Sequence, residues 1–179
     1  MIEKIIIAGA GGQGVMLLGK ILAQAGLKEK RFVSWLPAYG AEVRGGTAYC
    51  MVIISDREIG SPYIEKADIL IIMNALSLEK FKERIKPQGL LVLNSSLVDT
   101  PKLSSHLKLK LYAYAFSDIA LELGNIKVAN IVALGAVLAK KGFLKPESVL
   151  KTMEEIAPKE KRKILAINKR ALLRGMELE

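Results

Sequence analysis

Three glycines near the N-terminus, Gly9, Gly11 and Gly14, have the spacing G-x-G-x-x-G. An apolar run precedes them and a helical pattern follows, so they occupy a predicted turn between a strand and a helix. Glycines in that position permit a sharp turn and let a phosphate approach the backbone amides at the helix N-terminus. The first functional hypothesis is a nucleotide site. The alternative is that the glycines only permit close packing of strand and helix.

A dinucleotide site would also need an acidic side chain about 20 residues further on, at the end of the second strand, to bind the ribose. That strand ends in the sequence Ser-Trp-Leu-Pro at residues 34–37, whereas Glu29 precedes it and Glu42 follows well after it. Val15 follows Gly14 where a Walker A loop would have lysine. The residues therefore favour no particular nucleotide and make NAD binding doubtful.

A second glycine-containing loop, residues 37–46, presents Tyr39, Glu42 and Arg44 among small residues. An aromatic ring, a carboxylate and a guanidinium on a backbone that can approach another molecule closely indicate a contact surface. The alternative is an exposed ion pair between Glu42 and Arg44, worth less than about 1 kcal/mol. The strongly apolar strand that follows the loop favours the contact surface.

Cysteine and histidine each occur once, as Cys50 and His106. A disulfide within the chain is therefore excluded. An iron–sulfur cluster needs about four thiolates and a structural zinc ion about four Cys or His ligands, so this chain alone can build neither. His106 lies in a polar stretch, and the chain has no nucleophile motif that could use it. We therefore assign no catalytic residue and no metal ligand.

The apolar periodicity predicts alternating strands and helices. Strands are predicted at residues 4–8, 32–36, 48–54, 69–73, 90–93 and 110–115, and helices at 15–26, 77–85, 118–123, 128–140, 146–156 and 159–174. This alternation predicts an α/β fold: a three-layer, mostly parallel Rossmann-like sheet covered by helices, with a helical C-terminus. Residues 48–60 are expected to form an antiparallel edge hairpin, with a short returning strand at Ile59.

The length of 179 residues fits a single domain, residues 1–179. Hydrophobic residues make up 51% of the chain and the mean hydropathy is +0.27, yet no apolar stretch reaches the roughly 20 residues of a bilayer span. The N-terminus has no signal-peptide pattern, so we expect a cytoplasmic protein without a membrane partner. The net charge is +9. The basic run at 159–163 lacks interleaved aromatics, which indicates a solvated face or a protein contact rather than nucleic acid.

Several of these strings together resemble a known family. Residues 9–15 (GAGGQGV), 37–46 (PAYGAEVRGG), 61–62 (SP) and 67–68 (AD) look like the gamma subunit of 2-oxoacid:ferredoxin oxidoreductases, of the pyruvate, 2-oxoglutarate or ketoisovalerate type. Residues 123–125 (LGN) and 130–136 (NIVALGA) are also similar to that family. The resemblance spans roughly residues 3 to 142.

The resemblance implies a subunit of a complex that oxidatively decarboxylates a 2-oxoacid to acyl-CoA and passes the electrons to ferredoxin. It implies that thiamine diphosphate, CoA and iron–sulfur clusters belong to the complex and are held mainly by partner chains. This chain would bind none of them alone and would be inactive in isolation. The residues themselves leave a second possibility open, an independent nucleotide-binding oxidoreductase on a doubly wound fold.

The resemblance also suggests roles for the two loops. Tyr39, Glu42 and Arg44 would line a subunit junction near the CoA or thiamine pocket, and Arg44 would meet an anionic group through its fork of donors. The remaining candidate cofactor-binding residues belong to the first turn: Gly9, Gly11, Gly12, Gln13 and Gly14. Of these, Gln13 is expected to bond across the subunit interface.

Overall fold

A computed structural model describes residues 1–38, 47–99, 108–157 and 162–179. The strands are β1 (Ile2–Ala10), β2 (Phe32–Ala38), β3 (Thr47–Ser55), β4 (Ala67–Ile72), β5 (Ile85–Asn94) and β6 (Lys110–Tyr114). The helices are α1 (Val15–Lys28), α2 (Ala75–Phe81), α3 (Phe116–Glu122), α4 (Ala129–Lys141), α5 (Pro146–Ile156) and α6 (Arg162–Met176). Short 3-10 helices lie at Lys82–Arg84 and Ile126–Val128.

The strands form one sheet in the order β2-β3-β1-β4-β5-β6. β4 is parallel to β1, β5 to β4 and β6 to β5, whereas β3 is antiparallel to both of its neighbours, β1 and β2. β2 therefore runs in the same direction as β1, and β3 alone among the described strands is reversed. The predicted mostly parallel α/β fold with a helical C-terminus is confirmed.

The antiparallel pair at the edge is present, but its predicted partners were wrong. β3 pairs with β2, from Phe32↔Ser55 to Ala38↔Tyr49, and Ile59 belongs to no strand. The physical reason lies in the composition of β3, in which eight of nine residues are buried. A strand that is apolar on both faces needs neighbours on both sides and cover above and below, so it is an interior strand.

The two faces of the sheet have separate cores. The larger core lies under α1, α3, α4, α5 and α6, and the smaller one lies under α2 and the segment that contains Ile64. The helices that follow β1 and β4, α1 and α2, thus pack on opposite faces. That arrangement leaves a crevice outside the carboxyl ends of β1 and β4.

Most predicted elements lie within a few residues of the observed ones. α5 matches its prediction, and α4 is capped after Lys141 by Gly142, whose φ of 61° gives the left-handed end that glycine favours. β5 begins earlier than predicted, at Ile85, and its register with β4 shifts between Ala67 and Ile69 before regular pairing resumes at Leu90. Within the described residues no helix is long and apolar enough to cross a bilayer.

Candidate functional site

The carboxyl ends of β1, β4, β5 and β6 lie side by side at one end of the sheet, which we call the carboxyl edge. The turn between β1 and α1 is tight because Gln13 N–H donates to Ala10 O at 3.2 Å, and because Gly12 and Gly14 have φ values of 88° and 73°. These are left-handed conformations that glycine adopts without steric cost. The N-cap residue of α1, Gly14, has no side chain that could cap the helix, so within the described residues the first-turn amides carry no bond from an N-cap side chain.

Gln13 joins this turn to the end of β4. Its Oε1 accepts from Ala10 N–H at 2.7 Å, and its Nε2 donates to Met73 O at 3.1 Å. Gly9 makes room for it, since a Cβ there would lie 2.7 Å from Gln13 Oε1. Both ends of the Gln13 amide are therefore engaged within the chain, whereas the sequence suggested a bond across an interface.

A buried amide extends the same network to β5 and α3. Asn94 Nδ2 donates to Met73 O at 3.4 Å and to Ser117 Oγ at 2.8 Å, and Asn94 Oδ1 accepts from Ser117 N–H at 3.3 Å. The Met73 carbonyl thus accepts from both Gln13 and Asn94. Three loops at the carboxyl edge are held together by side chains that the sequence analysis did not single out, apart from Gln13.

Asn130 joins the N-termini of α1 and α4. Its Nδ2 donates to Gly14 O at 3.0 Å, and the residue is almost wholly buried. A Cβ on Gly14 would overlap the Asn130 amide. Gly14 is therefore required twice, for its backbone conformation and for this close approach.

Two depressions meet at Gly12 on this edge. The first is a crevice of ≈ 400 Å³ between the glycine turn, α3 and the 3-10 helix at Ile126–Val128. Its lining comprises Gly12, Gln13, Met73, Ser96, Leu97, Ser117, Asp118, Leu121, Ile126, Lys127 and Ala129. The second, of ≈ 340 Å³, extends from the turn past Leu17 to Ala38 at the end of β2. The crevice has apolar walls with hydroxyls, one carboxylate and one ammonium, a combination typical of a ligand site.

The single cysteine thiol, that of Cys50, does not belong to this site. Cys50 is buried in the larger core, its Sγ donates to Val15 O at 3.4 Å, and burial raises the pKa of Cys50 to about 12. The thiol is therefore protonated at neutral pH and is a poor nucleophile and metal ligand. Within the described ranges no group of His, Cys, Asp or Glu is arranged to hold a metal ion.

Tyr39, Glu42, Arg44 and His106 lie outside the described residues. The residues that flank the first three, Ala38 and Thr47, lie at the carboxyl edge beside the glycine turn, because Thr47 pairs with Ala10 and Ala38 lines the second depression. The structure brings Gly12, Gln13 and Gly14 together at this edge. Gly9 lies behind the turn, inside β1.

The fold is that of a doubly wound α/β protein, and its crevice lies at the point where the helices change faces, which is where such folds bind ligands. A family model described as pyruvate ferredoxin/flavodoxin oxidoreductase matches residues 4–178. The chain therefore belongs to the pyruvate ferredoxin/flavodoxin oxidoreductase family, and the resemblance to gamma subunits of 2-oxoacid:ferredoxin oxidoreductases is confirmed.

Three relatives illustrate the match. The 2-oxoglutarate synthase subunit KorC of Methanocaldococcus jannaschii is 35% identical over 94% of this chain and 92% of its own length. The ketoisovalerate oxidoreductase subunit VorA of Methanothermobacter thermautotrophicus is 35% identical over 97% of this chain but only 36% of its own length. The chain thus spans about a third of VorA. A solved keto/oxoacid ferredoxin oxidoreductase gamma subunit of Geobacter sulfurreducens superposes with a TM-score of 0.84 at 29% identity, covering 98% of this chain and 96% of its own.

Proposed function

We propose that residues 1–179 form one gamma-type domain that works as a subunit of a cytoplasmic 2-oxoacid:ferredoxin oxidoreductase complex. The complex would oxidatively decarboxylate a 2-oxoacid to acyl-CoA and transfer the electrons to ferredoxin. The observation that carries this proposal is the family match over residues 4–178, together with similarity over nearly the full length of KorC.

The donor groups of this chain do not fit the redox cofactors of such a complex. With one cysteine and one histidine in 179 residues, it cannot supply the about four thiolates of an iron–sulfur cluster. We therefore assign the clusters to partner chains, and the resemblance to gamma subunits implies that thiamine diphosphate is held mainly there as well. This chain would complete a pocket, and it would be inactive alone.

The proposed contribution of this chain lies at the carboxyl edge. Gly9, Gly11, Gly12, Gln13 and Gly14 would shape the edge, and Tyr39, Glu42 and Arg44 would line a subunit junction near the CoA or thiamine pocket of the complex. Support comes from Ala38 and Thr47, which join that loop to the sheet beside the glycine turn. A guanidinium there would bind a carboxylate or phosphate in a bidentate manner.

Co-purification tests the proposal. A tagged chain, expressed in its native host, is expected to retain a thiamine-binding chain and an iron–sulfur chain, and the eluate is expected to reduce ferredoxin with a 2-oxoacid and CoA. The same chain purified alone is expected to be inactive. Retention of neither partner, or full turnover by the isolated chain, would contradict it.

The open glycine turn and the crevice favour one alternative, an independent nucleotide-binding oxidoreductase. The uncharged end of β2 argues against it, because no carboxylate is available there for a ribose. Calorimetric titration of the isolated chain with NAD, NADP, FAD and ATP separates the two ideas. Binding at micromolar concentration favours the alternative, whereas four flat titrations remove it.

A further inference from the structure

We draw no further inference here: the strongest candidate, the patch of exposed apolar side chains at Leu97, Leu121 and Ile126 around the crevice of the carboxyl edge, belongs to the site already described, and nothing in the structure shows what covers it.

Discussion

At the level of single residues, the carboxyl edge is held together by amide side chains. Gln13 and Asn94 converge on the Met73 carbonyl, and Asn130 binds the carbonyl of Gly14. The Asn94 and Asn130 side chains are buried and Gln13 is half-buried, and losing such a hydrogen bond costs about 1–3 kcal/mol, so these bonds favour one arrangement of the loops. The crevice is therefore preorganised by these three side chains.

The two left-handed glycines of the first turn should differ in their tolerance of a side chain. Gly12→Ala, with open space around the added Cβ, is expected to lower the free energy of unfolding by about 1–2 kcal/mol from backbone strain alone. Gly14→Ala adds an overlap with the Asn130 amide and is expected to cost about 1–3 kcal/mol more. Urea unfolding of both variants measures the difference. Equal losses would contradict the close approach of Asn130.

Cys50 gives the folded state a defined dependence on pH. Burial raises its pKa from 9.0 to about 12, so above pH 9.0 the unfolded chain loses the thiol proton while the folded chain keeps it. Ionisation then favours unfolding, and the stabilisation present below pH 9.0 is lost as the pH rises. The free energy of unfolding is expected to fall by up to about 1.4 kcal/mol per pH unit from this group. Urea unfolding at several pH values between about 8 and 11 measures how steeply the free energy of unfolding falls with pH. The slope should be shallower in Cys50→Ala, and identical slopes would contradict the assignment.

At the level of elements, the α4–α6 crossing depends on two glycines. A Cβ on Gly135 would overlap Leu172 O, and one on Gly175 would overlap Val132 O. The two helices therefore approach at backbone distance, and they close the larger core above the sheet. The sequence indicated both helices, but their glycines have no pattern that predicts a crossing.

Gly135→Ala tests that crossing, and the sign of its effect is informative. In an isolated helix alanine is more favourable than glycine by about 1 kcal/mol, so without the contact the variant would be more stable. Overlap with α6 is instead expected to lower the free energy of unfolding by about 1–3 kcal/mol. Leu173→Ala, on the exposed side of α6, is the control and should change it by less than about 0.5 kcal/mol. Stabilisation by Gly135→Ala would contradict the close packing.

Local patterns predicted the elements well and the pairing of strands less well. Pro146 and Gly142 mark helix ends through their own backbone preferences, so a single sequence is sufficient to place them. The partner of β3 depends instead on which apolar strands lie beside it in space, and the residues near Ile59 carry no information about that. Asn94 ends an apolar run and Asn130 interrupts another. These were the available signals for the site, but only the fold brings both side chains to one edge.

At the level of the whole molecule, the helices cover the two faces of the sheet unequally. In the part of the chain that the structure describes, five helices pack on one face of the sheet, while α2 and the segment around Ile64 cover the middle of the other. The carboxyl edge has exposed apolar side chains at Leu97, Leu121 and Ile126, and the free edge at β2 is apolar as well. A subunit that is buried in a larger assembly would have such surfaces.

Arg44 tests whether the molecule acts through its neighbours rather than alone. If its guanidinium binds an anionic group in the assembled pocket, Arg44→Ala should lower turnover of the complex by about tenfold or more, since hydrogen bonds to charged groups are worth about 1.5–3 kcal/mol. The melting temperature of the isolated subunit should hardly change. Arg57→Ala, an exposed arginine after β3, is the matched control and should leave both quantities unchanged. Equal loss of turnover in the two variants would indicate a general charge effect. Unchanged turnover in intact Arg44→Ala complex would remove this residue from the pocket, and the glycine turn with its crevice would then be the remaining candidate for the contribution of this chain.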